Sequence, residues 1–158
     1  MQIDKDFAEA HVALIRECGN PGLIEYRVIG EKTYRHYDFK SLDRDLSGHR
    51  VFVGICPRVE RWANQYRESS LFFVDLDNAQ GNDLTLVDKT LEACEAAGIE
   101  PREIVHSGNG LHVYFVADKL MTKETRRATV KHYSKLLEKH DAPGEPDSAV
   151  CDMGRVVG

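Results

Sequence analysis

Two aspartates end an otherwise apolar segment of the sequence. Asp75 and Asp77 close the string LFFVDLD, which begins at Leu71. Alternate side chains of a strand share a face, so the two carboxylates are expected to converge. Like charges at the rim of a core repel, and a hard divalent cation such as Mg²⁺ or Mn²⁺ relieves that repulsion. The pair indicates a metal site; a solvated strand end with an Asx turn through Asn78 is the alternative that stays open.

A glycine-rich turn followed by a histidine forms the second candidate feature. The string SGNGLHVYF runs from Ser107 to Phe115. The turn leads into a strand that carries His112 and Tyr114 on one face. Without a side chain at Gly110, the turn amides approach a phosphate closely, and His112 is placed to donate a hydrogen bond to a phosphate oxygen. The alternative is a hairpin with an incidental exposed histidine.

A third carboxylate follows a Pro/Gly loop near the end of the sequence. Asp147 comes directly after Pro146, and Arg155 comes eight residues later. Asp147 is a candidate to complete a three-carboxylate metal site with Asp75 and Asp77. A turn or N-cap aspartate is the alternative, since aspartate is common after proline in turns.

The elements that must position these residues follow from periodicity and stop residues. Helices are predicted from Asp4 to Cys18, from Leu84 to a stop at Gly98 and Pro101, and from Thr122 to about His140, with a short helix at Ser41–Ser47. In the second of these, Leu84, Val87, Leu91 and Cys94 recur at helical spacing. Strands are predicted at 23–29, 33–39, 50–56, 71–76, 103–106 and 111–116. The strands cluster in pairs, and the apolar run at 71–76 is typical of a strand covered on both faces. The pattern favours an α+β fold.

Bulk properties limit the class of protein. A chain of 158 residues is expected to form a single domain, 1–158. No apolar run is long enough for a membrane helix and no signal peptide is recognisable, so a cytoplasmic protein is expected. The four cysteines are spread singly, so neither a zinc site nor a disulfide framework is indicated. The net charge of −5 argues against coating nucleic acid through bulk charge.

Together the three motifs resemble the archaeo-eukaryotic primase (AEP) superfamily, in particular the small primase-polymerases of plasmids, phages and related elements. Asp75 and Asp77 match its strand-borne first motif, Gly110 and His112 its second, and Asp147 with Val150 and Arg155 its third. The resemblance spans about 50–155. It implies an RRM-like palm with an antiparallel or mixed sheet flanked by helices, beside a smaller N-terminal α/β unit.

The resemblance also implies an activity and roles for the site residues. The activity is template-directed nucleotidyl transfer from NTPs or dNTPs by a DNA primase-polymerase, and its partners are a DNA template and primer. Asp75, Asp77 and Asp147 would hold two Mg²⁺ or Mn²⁺ ions. The nucleotide phosphates would be bound by His112, by the turn at Ser107 and Gly110, and by Arg155.

The sequence departs from the family at its third motif. The usual motif continues from its first basic residue through two hydrophobic residues to a second basic residue and Pro-Gly, but here Gly158 follows Arg155-Val156-Val157. A second phosphate-binding arginine is therefore missing. The resemblance predicts a catalytic domain truncated at its C-terminal end, with a helicase or template-binding part as a further partner.

Contacts to nucleic acid are predicted at three arginines. Arg58 belongs to a Pro-Arg segment resembling that of primase-polymerases, and Arg126 and Arg127 lie in the basic last helix, whose alternative is a solvated charged face. Trp62 and Tyr66 are candidates for base stacking or for the core. Two other functions stay open: a catalytically silent nucleic-acid-binding or nucleotide-binding RRM-like module, and a replication-initiator nuclease. The carboxylates speak against the first, and the lack of a His-x-His string against the second.

Overall fold

A computed structural model describes residues 4–61, 65–149 and 153–156, and every structural statement refers to these. Trp62, Val150 and Cys151 lie outside them. The elements in chain order are α1 (Lys5–Cys18), β1 (Tyr26–Ile29), β2 (Thr33–His36), a 3₁₀ turn (Phe39–Leu42), β3 (Arg50–Gly54), β4 (Ser69–Asp77), α2 (Asp83–Ala97), β5 (Glu103–His106), β6 (Leu111–Met121), α3 (Lys123–Lys139), β7 (Glu145–Asp147) and β8 (Met153–Val156).

The second half of the chain forms the predicted RRM-like palm. Its elements follow one another as β4-α2-β5-β6-α3-β7, and the strand order across the sheet is β5-β6-β4-β7. All three strand pairs of this sheet are antiparallel. This is a split βαβ arrangement, in which β6 lies between the two strands that α2 connects. The α+β prediction is confirmed, with an antiparallel palm sheet.

The predicted N-terminal α/β unit consists of α1 and a second antiparallel sheet. The strand order of this sheet is β2-β1-β3-β8. Its last strand comes from the other end of the chain, because β8 pairs with β3 with Val51 opposite Val156. The chain therefore passes through the palm and returns to the N-terminal sheet.

The two faces of β4 belong to two different cores. Leu71 and Phe73 pack with α1 and with the inner face of the N-terminal sheet, where Val53 is also buried. Phe72 and Val74 face α2 and α3 in the second core. Both faces are covered, which explains why the strand is apolar throughout. Asp75 and Asp77 continue the face that meets the N-terminal unit, so they lie where its core ends.

The helix boundaries follow capping residues, but the buried face of α2 differs from the prediction. Asn82 caps α2, and Gly98, with φ of 70°, ends it as predicted. Leu86, Thr90, Ala93 and Cys94 are its buried residues, whereas Leu84 is 76% exposed. Thr90 is tolerated inside because its hydroxyl donates to the Leu86 carbonyl at 2.7 Å. The apolar stripe predicted from Leu84, Val87, Leu91 and Cys94 therefore shares only Cys94 with the buried face.

The region predicted as a helix at Ser41–Ser47 contains a shorter and earlier 3₁₀ turn. The Asp38 carboxylate accepts a hydrogen bond from the Lys40 amide, so the turn begins at Phe39. Leu42 and Leu46 are both buried, which ties the segment to the N-terminal core without a full helix.

Two expectations about the chemistry of the whole molecule have structural counterparts. Among the described residues, no helix has both the length and the apolar character that crossing a membrane requires. Cys18, Cys56 and Cys94 are buried and unbonded to one another, as expected of packed thiols.

Candidate active site

Asp75 lies in the middle of the palm, between the strands that carry the other two motifs. In the register of the sheet it is opposite His112 of β6 on one side and Asp147 of β7 on the other. Asp77 is two residues further along the same face. Segments separated by more than thirty residues along the sequence thus meet at one point. The structure thus brings Asp75, Asp77, His112 and Asp147 together.

The three aspartates have the geometry of a cation site. Carboxylate oxygens of Asp75, Asp77 and Asp147 lie within 4.8 Å of one another. Asp75 is 6% exposed, and its Oδ1 is buried without a hydrogen-bond partner among the described residues. A buried, unsatisfied carboxylate oxygen is costly unless a cation or donor reaches it. Oxygen-only ligands of this kind suit Mg²⁺ or Mn²⁺, so the residues fit the predicted ions.

The electrostatics at Asp77 show the same crowding of negative charge. Burial raises the pKa of Asp77, and the carboxylates of Asp75 and Asp147 raise it further. His112 and a hydrogen bond from Asn109 act in the opposite direction. Asp147 is held by the Ala149 amide, which donates to its Oδ1 at 2.9 Å. Without a cation the cluster is therefore unfavourable for folding at neutral pH.

His112 faces the carboxylates from within the protein. It is 4% exposed, and its Nε2 lies 3.4 Å from Oδ1 of Asp75. Its ring packs on Phe73 with centroids 4.8 Å apart. The alternative of an incidental exposed histidine is therefore wrong, because the side chain is buried and oriented at the aspartate cluster.

The glycine turn before His112 is required by the backbone of β4. The Ser107 amide donates to the Gly110 carbonyl at 2.9 Å and closes the turn. A Cβ on Gly110 would lie 1.8 Å from the Leu76 carbonyl oxygen. Only glycine allows this approach, which places β6 against β4 directly beside the aspartates. Ser107 is itself 5% exposed.

A network of polar side chains that the sequence reasoning did not assign joins the three motif segments. The Asn78 carboxamide accepts from Asn109 Nδ2 at 3.1 Å and donates to Glu145 Oε2 at 3.3 Å. Asn78 has a positive φ of 54°, a conformation that asparagine adopts more readily than most residues. An asparagine directly after a strand end was the available sign of such a turn.

The three arginines predicted to contact nucleic acid differ in their exposure. Arg58 is 1% exposed, with Nη2 2.5 Å from Glu25 Oε2, and Arg126 is 0% exposed. Both side chains are therefore buried, which does not favour the predicted contact with nucleic acid at either of them. Arg127, the next residue of α3, is exposed. Arg155 lies in β8 of the N-terminal sheet, opposite Phe52, so the third motif is divided between the two sheets.

Comparison with known proteins identifies the class of fold. No family model matches the sequence, and no curated protein matches it. Among solved structures, the AEP domain of the primase-polymerase of cyanophage S-2L is similar, with a TM-score of 0.65 and 15% sequence identity. The similarity covers 100% of this chain and 93% of that one. The chain therefore has the fold of a primase-polymerase AEP domain, and the resemblance predicted from the motifs is confirmed at the level of the fold.

Proposed function

We propose that this protein is the catalytic domain of a DNA primase-polymerase, which transfers nucleotides from NTPs or dNTPs to a strand under the direction of a template. The observation that carries the proposal is the convergence of Asp75, Asp77 and Asp147 within 4.8 Å on a palm of AEP type. Three carboxylates so close together repel phosphate unless divalent cations are bound. A purely nucleic-acid-binding module has no need of them.

The aspartates would hold two Mg²⁺ or Mn²⁺ ions. Bound at such a site, two divalent ions lower the pKa of the attacking 3′ hydroxyl and neutralise charge on the triphosphate. Asp75 contributes a buried oxygen that lacks another partner among the described residues, and its position between β6 and β7 orients it. Asp77 and Asp147 are less buried and complete the cluster on its outer side.

The second motif would bind the nucleotide phosphates beside the aspartates. His112 is fixed by its packing on Phe73 and so needs no reordering when a nucleotide arrives. The turn from Ser107 to Gly110 lies at the same edge of the sheet, where its backbone would approach the phosphates. Arg155 would add a positive charge from the neighbouring sheet, and the exposed Arg127 remains a candidate contact for template or primer DNA.

Primer extension tests the proposal. The chain is incubated with a primed DNA template, dNTPs or NTPs, and Mg²⁺ or Mn²⁺, in parallel with Asp75→Asn/Asp77→Asn. We expect extension by the wild type and none by the double variant. The matched control is Asp118→Asn, which removes one exposed carboxylate from β6 away from the cluster and should extend normally.

Two other outcomes distinguish a domain that lacks a further part from a wrong assignment. Metal-dependent dNTP binding without extension would mean that the domain needs another segment or partner for turnover. If neither extension nor metal-dependent dNTP binding occurred, the two-metal assignment would be wrong and the silent binding module would be favoured.

A further inference from the structure

The outer face of the N-terminal sheet carries a concentration of arginines. In this sheet Tyr26, Val28 and Val53 face the core, so the alternate positions of the same strands face outwards. Arg27 is opposite Arg35 on one side and opposite Phe52 on the other. Arg50 lies two residues before Phe52 on the same strand. We call this set, Arg27, Arg35, Arg50 and Phe52, the arginine face.

A single buried carboxylate holds several of the guanidinium groups. Glu25 is 0% exposed; its carboxylate is bonded by Arg27 and Arg58 and lies 3.8 Å from Nε of Arg35. One carboxylate therefore lies beside three guanidinium groups. Arg27 and Arg35 are also partly exposed, with 27% and 36% of their side chains accessible. The net charge of −5 for the whole chain does not reveal this local concentration of arginines.

Beside the arginine face there is a small hollow in which cationic and aromatic groups meet. Its volume is about 220 Å³, and it is lined by Arg35, His36, Tyr37, Asp38, Ser41 and Arg61. The Arg61 guanidinium lies 5.8 Å from the centroid of the Tyr37 ring. Arg35 belongs to both the hollow and the arginine face, so the two form one surface.

The arginine face extends in register to β8, the edge strand of the N-terminal sheet. Phe52 is the register partner of Arg155. From β8 across β3 and β1 to β2 there are three steps between strands, or about 14 Å at the usual spacing. Three of the four register positions along this row are arginines: Arg155, Arg27 and Arg35.

We propose that the arginine face binds a single strand of nucleic acid. Proteins that bind single strands combine a positive surface that follows the backbone with aromatic rings on which bases stack. In the arginine face, guanidinium groups held by a buried carboxylate supply the positive surface, and the half-buried Phe52 supplies an aromatic ring for stacking. A row about 14 Å long suits several linked phosphates better than the single phosphate cluster of one nucleotide. One part of the inference rests on the proposed function: in a primase-polymerase, the bound strand would be the template.

Strand binding is measured by fluorescence anisotropy with a labelled oligo-dT at several salt concentrations and without divalent ions, so that catalysis plays no part. The first variant is Arg35→Ala/Arg50→Ala, which removes two exposed charges. Each phosphate contact to a single strand contributes about 0.7 to the slope of log K against log salt concentration. We therefore expect weaker binding and a slope smaller by about 1.4. The matched control, Lys131→Ala/Lys135→Ala, removes two exposed charges from α3 and should leave the slope unchanged.

The second variant, Phe52→Leu, keeps an apolar side chain and removes the ring. Loss of stacking should weaken strand binding about tenfold with no change in the salt slope. Unchanged affinity and slope in both variants would overturn the inference, as would an equal loss in the α3 control. So would a selective loss of Mn²⁺-dependent dNTP binding, which would assign the arginine face to nucleotide phosphates. If the wild type bound the strand here but neither extended a primer nor bound dNTPs with metal, the inference would stand and the proposed function would fail.

Discussion

Asp75 and His112 are register partners on adjacent antiparallel strands, and their side chains approach to 3.4 Å between Oδ1 and Nε2. The pair lies at the end of the core, with His112 packed on Phe73 and Asp75 opposite Asp147. A ligand that binds the carboxylate therefore also meets the imidazole. The first and second motifs act at one place because the strand register brings them there.

We expect His112→Ala to affect nucleotide binding more than metal binding. The imidazole is adjacent to the cluster but is not one of the three carboxylates, so Mn²⁺ affinity should change only a few-fold. Nucleotide affinity should fall by about 10- to 100-fold, because a hydrogen bond to a charged phosphate contributes about 1.5–3 kcal/mol. Calorimetric titration with Mn²⁺, followed by titration with a fluorescent dNTP, separates the two effects.

His112→Gln is the matched variant for this test, because it keeps a hydrogen-bond donor and should recover part of the nucleotide affinity. An equal loss of Mn²⁺ affinity in His112→Ala, with the fold intact, would show instead that His112 acts by orienting Asp75.

Asp77→Asn should stabilise the metal-free protein at neutral pH. Burial and the two neighbouring carboxylates raise the pKa of Asp77 above its usual value. A carboxyl group whose pKa is higher in the folded state loses folding stability as the pH rises through that pKa, and the whole cost is present at pH 7. We therefore expect the metal-free variant to melt at a higher temperature than the wild type at pH 7. The difference should disappear below about pH 4, where both states are protonated.

With added Mn²⁺, the wild type should melt at a higher temperature than Asp77→Asn, which reverses the order expected without metal. Ligands that bind the folded state raise its stability, so the wild type should gain more than the variant. Asp118→Asn serves as the control and should behave like the wild type in both conditions. A variant that melts below the metal-free wild type at pH 7 would contradict the account of repulsion within the cluster.

The sequence allowed prediction of local features better than of distant pairings. The alternation of Leu111–Phe115 predicted that His112 and Tyr114 lie on one face. The structure agrees, since Tyr114 packs in one core and Leu111, Val113 and Phe115 pack in the other. From the sequence, Gly110 was expected to let the turn amides approach a phosphate, whereas its close neighbour in the structure is the Leu76 carbonyl. The register of β6 with β4 depends on this contact between residues thirty-four positions apart, which no local pattern encodes.

The sequence also did not allow prediction of which charged side chains are buried. Arg58 was predicted as a nucleic-acid contact from its Pro-Arg segment, and Arg126 from the basic last helix. The partner that permits the burial of Arg58 is Glu25, which precedes β1 and lies close to Arg58 only in the folded chain. Nothing in the sequence around Arg58 shows this pairing, whereas Asp75 and Asp77 are two residues apart and their common face follows from strand geometry alone.

Gly110→Ala should destabilise the protein through a steric clash with β4. The added methyl group would lie 1.8 Å from the Leu76 carbonyl oxygen, so the two strands must separate. Overpacking of this kind costs about 1–3 kcal/mol in free energy of unfolding. Because the shift occurs beside His112, Mn²⁺-dependent dNTP binding should fall as well. Urea denaturation and nucleotide titration measure the two effects.

Gly48→Ala provides the control for Gly110→Ala. Gly48 has a positive φ of 75° but nothing within 4 Å of a new Cβ, so only backbone strain is introduced. We expect a moderate loss of stability there and unchanged nucleotide binding. Normal nucleotide binding in Gly110→Ala, at a stability equal to that of the wild type, would show that the turn tolerates a side chain.

Arg58→Ala should reveal a structural role and not a nucleic-acid contact. The substitution leaves Glu25 buried with one of its close partners removed. Removing one partner of a buried ion pair costs about 3–5 kcal/mol, and because Arg27 still bonds the carboxylate, we expect a value near 3 kcal/mol. Neutralising the carboxylate as well, in Glu25→Gln/Arg58→Ala, should recover part of this loss, since no unpaired charge then remains buried. Chemical denaturation gives both values. Unchanged stability in Arg58→Ala, together with weaker binding of a DNA oligonucleotide, would contradict the structural role. It would support the nucleic-acid contact that was predicted from the sequence.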